Sequence, residues 1–295
     1  MTKKLGLVLL THEKPAQTVR LVNTLDRMFD FPPIALHHDF SQTDLPTDAF
    51  RYNVAIVRPH LRTSWGTFSV VEATMRALEL MYRSPAPPDW FVLLSGADFP
   101  IKPADRIVSD LGASNFDAHI HHERISYKNY ERAWQERCFD RYCTLRLPYP
   151  SHSKGLGLKT QHIVLRHPLL TSYFLPFSSE LRCFAGGQWF SANRKAAEYI
   201  LDFHARKPAL ARHYRRAVRF PEESYFQTIL CNAPGLKISN DPRRYLDWSA
   251  GGRHPKTLGI EDLPKILESP AHFARKIDGE TNVALVAELE KHLGL

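Results

Sequence analysis

Cysteine is scarce in this chain of 295 residues, and none of Cys138, Cys143, Cys183 and Cys231 sits in a Cys-x-x-Cys pair. Cys138 and Cys143 are five apart, a spacing that matches no common zinc site. Long apolar runs are missing too. After Met1-Thr2-Lys3-Lys4, the stretch Leu5–Leu10 is too short for the apolar part of a signal peptide or for a membrane span. A reducing, cytoplasmic setting with free thiols is therefore expected. There is no internal repeat, no low-complexity tract and no clear interdomain linker. A long run of one charge sign is absent as well. The net charge is +8 and the pI about 9.3, but acidic and basic residues interleave. That balance suits a phosphorylated or polyanionic ligand, or peripheral contact with an anionic surface such as the inner membrane. The interleaved acids argue against nucleic acid as a partner. The densest basic patch, Arg206–Arg219, has helical spacing and reads as a solvated helix face.

What is present is a core-forming pattern. With 43% hydrophobic residues the chain has enough apolar content for one large α/β domain or two smaller ones. Leu5–Leu10, Ile34–Leu36, Asn53–Val57 and Trp90–Leu94 are short apolar runs that predict buried strands. Each ends on polar residues: Thr11-His12, His37-His38-Asp39, Arg58-Pro59-His60 and Ser95-Gly96-Ala97-Asp98. Between them lie two amphipathic helices. One starts at Pro15 with Val19, Leu21, Val22, Leu25 and Met28 on one stripe, and the other covers Val70–Tyr82. Ser69 followed by Glu72 predicts a capping box for the second. Alternating strands and helices predict a wound, parallel sheet. Ligands of such sheets bind beyond the carboxyl ends of the strands. Asp98 in that position is either part of a cleft or the cap of an ordinary turn.

Further along, Phe116–Ile120 predicts a strand leading into His119, His121, His122 and Glu123. Alternation puts His119 and His121 on one face and turns His122 away. Hydrogen-bonded imidazoles account for that cluster better than a metal does. Ser151–Lys159 carries Gly155 and Gly157, a weak phosphate-loop pattern with no clear strand before it. A helix from about Arg194 to Ala205 with Asn193 or Ser191 as N-cap is expected, then one opening at Pro221-Glu222-Glu223 and running through Leu230. Acidic residues in a first turn are favoured by the helix dipole alone. A short strand Leu236–Ile238, a helix Glu261–Leu267 and a closing amphipathic helix Thr281–Leu293 complete the pattern.

Five blocks occur in order: Trp65-Gly66 with Ser69 to Ala73, Leu94–Pro100, Gly187-Gln188-Trp189-Phe190, Pro221-Glu222-Glu223, and Phe273-Ala274-Arg275-Lys276. Together they make the chain resemble the core-2/I-branching N-acetylglucosaminyltransferase and peptide O-xylosyltransferase family, from about Leu5 to Ile277. The resemblance implies an α/β GT-A fold in one catalytic domain over 1–295, with a Rossmann-like nucleotide-binding half (about 1–115) and an acceptor-binding half (about 116–295). It implies an inverting transfer from a UDP-sugar, GlcNAc or xylose, to a hydroxyl of a glycan or glycoconjugate acceptor. No cofactor and no divalent metal are expected, and Ser95-Gly96-Ala97-Asp98 indeed offers one carboxylate where the common metal motif has two.

Residue by residue, the resemblance implies Glu223 as catalytic base and Arg253, Arg275 and Lys276 as holders of the UDP diphosphate. Thr11, Asp39 and Arg58 fall at the nucleotide. Ser95, Asp98, Gln188, Trp189 and Trp248 fall near the sugars, as do Lys128 and Arg132 in a segment of looser match. Glu222 departs from the more frequent Asp, and neither the membrane anchor nor the disulfides of animal members are expected here. The physics is coherent. Fixed cations stabilise a leaving diphosphate, Arg as a fork and Lys as a point charge, and a sugar hydroxyl needs a positioned base. The competing reading is a non-catalytic carbohydrate- or nucleotide-binding protein on the same fold, for which a retained Glu223 has no use.

Overall fold

The computed structural model describes residues 3–128, 130–152, 158–252 and 254–295, with backbone alone over 148–152 and 158–161. Arg253 and the Gly155/Gly157 loop therefore lie outside the described residues.

The four apolar runs form β1 (Leu5–Thr11), β2 (Ile34–His38), β3 (Val54–Ile56) and β4 (Trp90–Ser95), all parallel, side by side in the order β3-β2-β1-β4. Helices α1 (Pro15–Phe29) and α2 (Phe68–Tyr82) make the crossovers. Thus β1 leads one way to β2 and β3, and α2 returns the chain to the other side of β1. The crevice between the carboxyl ends of β1 and β4 is where such a sheet opens to a ligand. After the short strand β5 (Phe99–Pro100) and helix α3 (Ala104–Gly112), β6 (Ala118–His119) extends the sheet. The expected strand Phe116–Ile120 is thus cut to its centre. Strand β7 (Glu123–Arg124), helix α4 (Ala133–Tyr142), the antiparallel hairpin β8 (Leu145–His152) and β9 (Leu158–Leu165), and the short α5 (Pro168–Thr171) follow.

β10 (Phe184–Ala185) pairs with β7, and β11 (Ser191–Asn193) inserts antiparallel between β4 and β6. Helix α6 (Arg194–Arg206) starts where Asn193 caps it, its side chain accepting from Ala196 N–H at 3.0 Å. Next come α7 (Pro208–Ala217), a single 3-10 turn Pro221–Glu223, and α8 (Tyr225–Cys231). β12 (Ile238–Ser239) closes the seven-stranded sheet beside β6. β13 (Arg244–Leu246) and β14 (Phe273–Arg275) join β5 in a separate three-stranded sheet, with α9 (Leu263–Glu268) between them and α10 (Val283–His292) last.

The central strands β1, β2 and β4 are buried on both faces, as their continuous apolar runs require, while the edge strands β3 and β12 are partly exposed. Alternation along β4 sends Phe91 and Leu93 into the core beneath α2, α6 and α8, and Trp90, Val92 and Leu94 into the core beneath α1 and α10. Each such side chain contributes about 1.5–3 kcal/mol. The α/β architecture and its parallel half are those the GT-A expectation requires.

Three local expectations fail. Ser69 is not an N-cap: α2 begins at Phe68, with Thr67 at the cap position and no side-chain cap bond. Ser69 Oγ instead accepts from Ser64 N–H at 3.0 Å, and Glu72 turns to Arg76 and Arg215. Pro221–Glu223 does not open α8. Phe220 is left-handed (φ 56°) and Ser224 is non-helical, so the turn and the helix are separate. The strand Leu236–Ile238 shifts to Ile238–Ser239, where β6 supplies its partner. Among the described residues no helix is long and apolar enough to cross a membrane.

Candidate active site

The carboxyl end of β4 is a tight turn. Asp98 N–H donates to Ser95 O at 3.2 Å, and the Asp98 carboxylate accepts from Ser95 N–H at 2.7 Å and from Ser95 Oγ. Asp98 is only 1% exposed, which answers whether it caps a turn or enters a cleft. It caps the turn and faces inward. Behind it stand Arg244 Nη1 at 3.3 Å and Arg275 Nη1 at 3.8 Å, delivered by the paired strands β13 and β14. Arg244 also donates to Leu93 O at 3.0 Å and lies over the Phe273 ring. Arg275 lies 4.2 Å above the centre of the Trp189 ring. One buried carboxylate therefore faces two buried guanidinium groups. Burial lowers the pKa of Arg244 to about 10, Asp98 pulls it back up, and the like charge of Arg275 lowers it further. Lys276 follows at the same edge, its chain tied to the turn where Ile277 N–H donates to Ala97 O at 2.9 Å. Burial and Arg275 lower its pKa, and it has no ion pair among the described residues.

The ends of β1 and β2 are more fully committed. Thr11 Oγ1 and His38 Nδ1 share a hydrogen bond of 2.8 Å, and His38 Nε2 meets Thr43 O at 2.7 Å. Asp39 is fully buried. Its carboxylate accepts from Ser41 N–H and Oγ, Gln42 Nε2, and Thr63 N–H and Oγ1 at 2.6–3.0 Å. Against the opposing effect of burial, those donors hold its pKa far below the ordinary carboxylate range. Asp39 thus fixes the loops around it. His37 accepts from Leu61 N–H at 3.0 Å, and burial pushes its pKa down to about 4, so it is neutral. Arg58 is exposed and lies 4.1 Å over the Phe40 ring.

The turn Pro221–Glu223 is the third component. Phe220 N–H donates to Gly66 O at 3.0 Å, and Gly186 N–H donates to Glu223 O at 2.7 Å. Both glycines are required by contact. A Cβ on Gly186 would fall 1.8 Å from His121 O, and one on Gly66 (φ 72°) would fall 2.9 Å from the Phe220 ring. Glu222 turns inward and is 3% exposed, with Oε2 lacking a partner among the described residues. Burial pushes its carboxyl up to about 7. Glu223 turns the other way, its side chain 39% exposed, with Oε2 at 2.8 Å from Arg141 Nη1. Burial raises its pKa and Arg141 opposes the rise. Among the described residues Glu223 Oε1 accepts no hydrogen bond. The strap Gly186–Trp189 then joins the two halves, since it starts on the Glu223 carbonyl and ends on the ring beneath Arg275.

The remaining predicted residues scatter around this frame. Gln188 is half-buried within the strap. Trp248 is exposed on the loop after β13. Trp65 packs edge-on to Phe220 at 4.5 Å and reaches His254 at 5.3 Å, next in sequence to Arg253. Arg132 and Gln135 pair with Glu123, which also meets His121 at 3.5 Å. Lys128 lies over Tyr127. His119 bonds Ser114 Oγ and His122 bonds Ile120 O, each at 2.9 Å. Among the described residues no three His, Cys, Asp or Glu side chains form a group able to hold a metal. Sequence reasoning missed Arg141 and Arg244. Arg141 was hidden among the arginines of 124–146. Arg244 opens β13, which pairs with the Phe273–Arg275 strand, yet its partner Asp98 is far away in sequence.

The Core-2/I-Branching enzyme family model matches residues 30–267. A beta-glucuronosyltransferase, GlcAT14A of Arabidopsis thaliana, is 25% identical over 224 residues, covering 73% of this chain and 45% of the relative. Xylosyltransferase 1 of Rattus norvegicus is 24% identical over 262 residues, covering 82% of this chain and 29% of the relative. The chain thus spans less than half the length of either. Among solved structures, a galactosyltransferase, LgtC, in complex with donor and acceptor sugar analogues, aligns with a TM-score of 0.44 and 10% identity over 98% of this chain and 96% of that one.

Proposed function

The chain belongs to the Core-2/I-Branching enzyme family, and from that premise we propose that it transfers a sugar from a UDP-sugar to a hydroxyl of a glycan or glycoconjugate acceptor, inverting the anomeric centre without a divalent metal. The observation that carries this reading is the strap Gly186–Trp189, which connects a carboxylate suited to act as base with a buried arginine. Glu223 is presented by Arg141 through one oxygen, leaving the other for the acceptor hydroxyl. Burial makes it a better base than an exposed glutamate. It takes the hydroxyl proton as that oxygen forms the new bond to the anomeric carbon. The bond from that carbon to the diphosphate oxygen breaks, and UDP leaves with the added negative charge. Arg275 and Lys276 at the β4 turn are the cations that would offset it. Asp98 supports the metal-free reading, because its carboxylate is already enclosed by Arg244 and Arg275.

Release of UDP, measured with UDP-GlcNAc, UDP-xylose and UDP-glucuronic acid in turn, with and without EDTA, tests the proposal. One donor should turn over in either condition, and Glu223→Gln should slow transfer about 10²–10⁴-fold. Activity restored only by Mn²⁺, or near-normal turnover by the Gln variant, would refute it.

A further inference from the structure

Arg141 has a second environment besides Glu223. It lines a groove of about 620 Å³ between the β8–β9 hairpin and α7, together with Arg146, His162, Arg212, His213 and Arg216. Among the described residues no acidic one lines that groove. The nearby acids of α4, Glu136 and Asp140, are taken by Arg166. Arg212 and Arg216 are four apart, so they share one face of α7, whereas Arg215 turns away to Glu72 at 3.2 Å. Both are exposed, and neither has a carboxylate partner among the described residues. Like charges at that spacing repel, and Arg146 adds to the repulsion, while the charge of Arg141 is shared with Glu223. His213 does not relieve it. Its Nε2 is held by Tyr142 O at 3.0 Å, and burial lowers its pKa, so it is a neutral donor. A merely solvated helix face needs no groove. This one is concave, carries a single sign of charge, and begins at the side chain that holds Glu223.

We propose that this groove binds a negatively charged group, a phosphate or a carboxylate, on the acceptor. The proposal rests on Glu223 as the base, because only then is the groove on the acceptor side. Arginine forks suit both oxyanions. The anion can belong to a soluble acidic glycan or to a lipid-linked headgroup. One rim of the groove carries Phe174, and Leu169, Leu170 and Tyr173 beside it are also exposed, an apolar surface on which a lipid could lie.

Binding of a hyaluronan tetrasaccharide, of uncharged chitotetraose, and of phosphatidylcholine vesicles with and without phosphatidylglycerol separates these cases. At least one anionic probe should bind about tenfold or more tightly than its neutral counterpart, and less well as salt is raised. Arg212→Gln and Arg216→Gln should each weaken that binding about tenfold, the worth of one charged hydrogen bond. The corresponding Lys variants keep the charge but lose the fork, so they should bind more tightly than the Gln variants and less tightly than the native chain, and thermal unfolding of each variant reports any loss from misfolding. Preference for hyaluronan assigns a soluble acidic acceptor; preference for the anionic vesicles assigns a lipid-linked one. Equal binding of charged and neutral probes, or native affinity in the double Gln variant, overturns the proposal. UDP release by the native chain reports on the transfer reading separately.

Discussion

Glu222 offers a stability test whose size can be worked from the fold. Its carboxyl is buried beneath the Gly66 loop. The nearby backbone N–H groups of Glu222 and Gly66 offset its burial only in part, and among the described residues Oε2 has no partner. The desolvated carboxylate is disfavoured, so the pKa rises from an ordinary 4.5 to about 7 in the folded chain. Below 4.5 the group is protonated in both states and folding gains the most from it. As pH rises the unfolded chain ionises first while the native chain keeps its proton, so stability falls until the native group ionises near 7 and is level beyond that. At about 1.4 kcal/mol for each tenfold change in proton affinity, the loss amounts to about 3 kcal/mol. Glu222→Gln cannot ionise. Its amide oxygen retains the acceptor role toward the backbone, and its nitrogen occupies the site of the unpartnered Oε2. The variant should therefore be more stable than the native chain above pH 7, by several degrees in Tm. The advantage should shrink steadily toward pH 4.5. Thermal unfolding of both chains across that range provides the measurement. A difference in Tm that does not change with pH would mean that the carboxyl is solvated and that the Gly66 loop does not seal it.

Two further changes probe the cationic edge. Arg275→Ala and Lys276→Ala should each weaken UDP binding in a calorimetric titration by about tenfold or more, since a hydrogen bond to a charged group contributes about 1.5–3 kcal/mol; unchanged affinity in both would place the diphosphate elsewhere. Asp98→Asn leaves Arg244 and Arg275 buried without a counter-charge, and should lower stability by about 3–5 kcal/mol in urea unfolding. A change under about 1 kcal/mol would show that the two guanidinium groups are compensated from another source.

The parallel part of the main sheet was legible because its strands β1, β2, β3 and β4 are written as short apolar runs, with β1, β2 and β4 buried and β3 a partly exposed edge. The hairpin β8–β9 was not, for a physical reason. Pro148 and Pro150 lie inside β8, and proline marks a segment as unable to donate in a ladder. The hairpin is a sheet of two strands, so each strand has a free edge where a proline does no harm. The false capping box shows the opposite failure. Ser69 and Glu72 have the right spacing, but α2 starts at Phe68, two residues before the expected Val70, and the Phe68 ring is buried against Tyr225. Packing outweighed the local signal.

The site shows what a sequence can and cannot say about polar residues at strand ends. Asp39, Asp98, His37 and His38 all lie at the carboxyl edge of the sheet, where ligand-binding residues are sought, and all are buried and bonded within the protein. Their positions mark the crevice, and their partners make them its framework. Beside them lie groups with no ion pair or hydrogen bond among the described residues, the ammonium of Lys276 and the second oxygen of Glu223, and the exposed Arg58. Which of two neighbours is framework and which is free depends on contacts distant in sequence, such as Asp98 with Arg244 or Glu223 with Arg141. Glu222 and Glu223 make the point within a single turn. They are adjacent and chemically identical. One is buried under Gly66 and the other held open by an arginine from α4, so the environment alone separates the enclosed carboxyl from the one proposed as base.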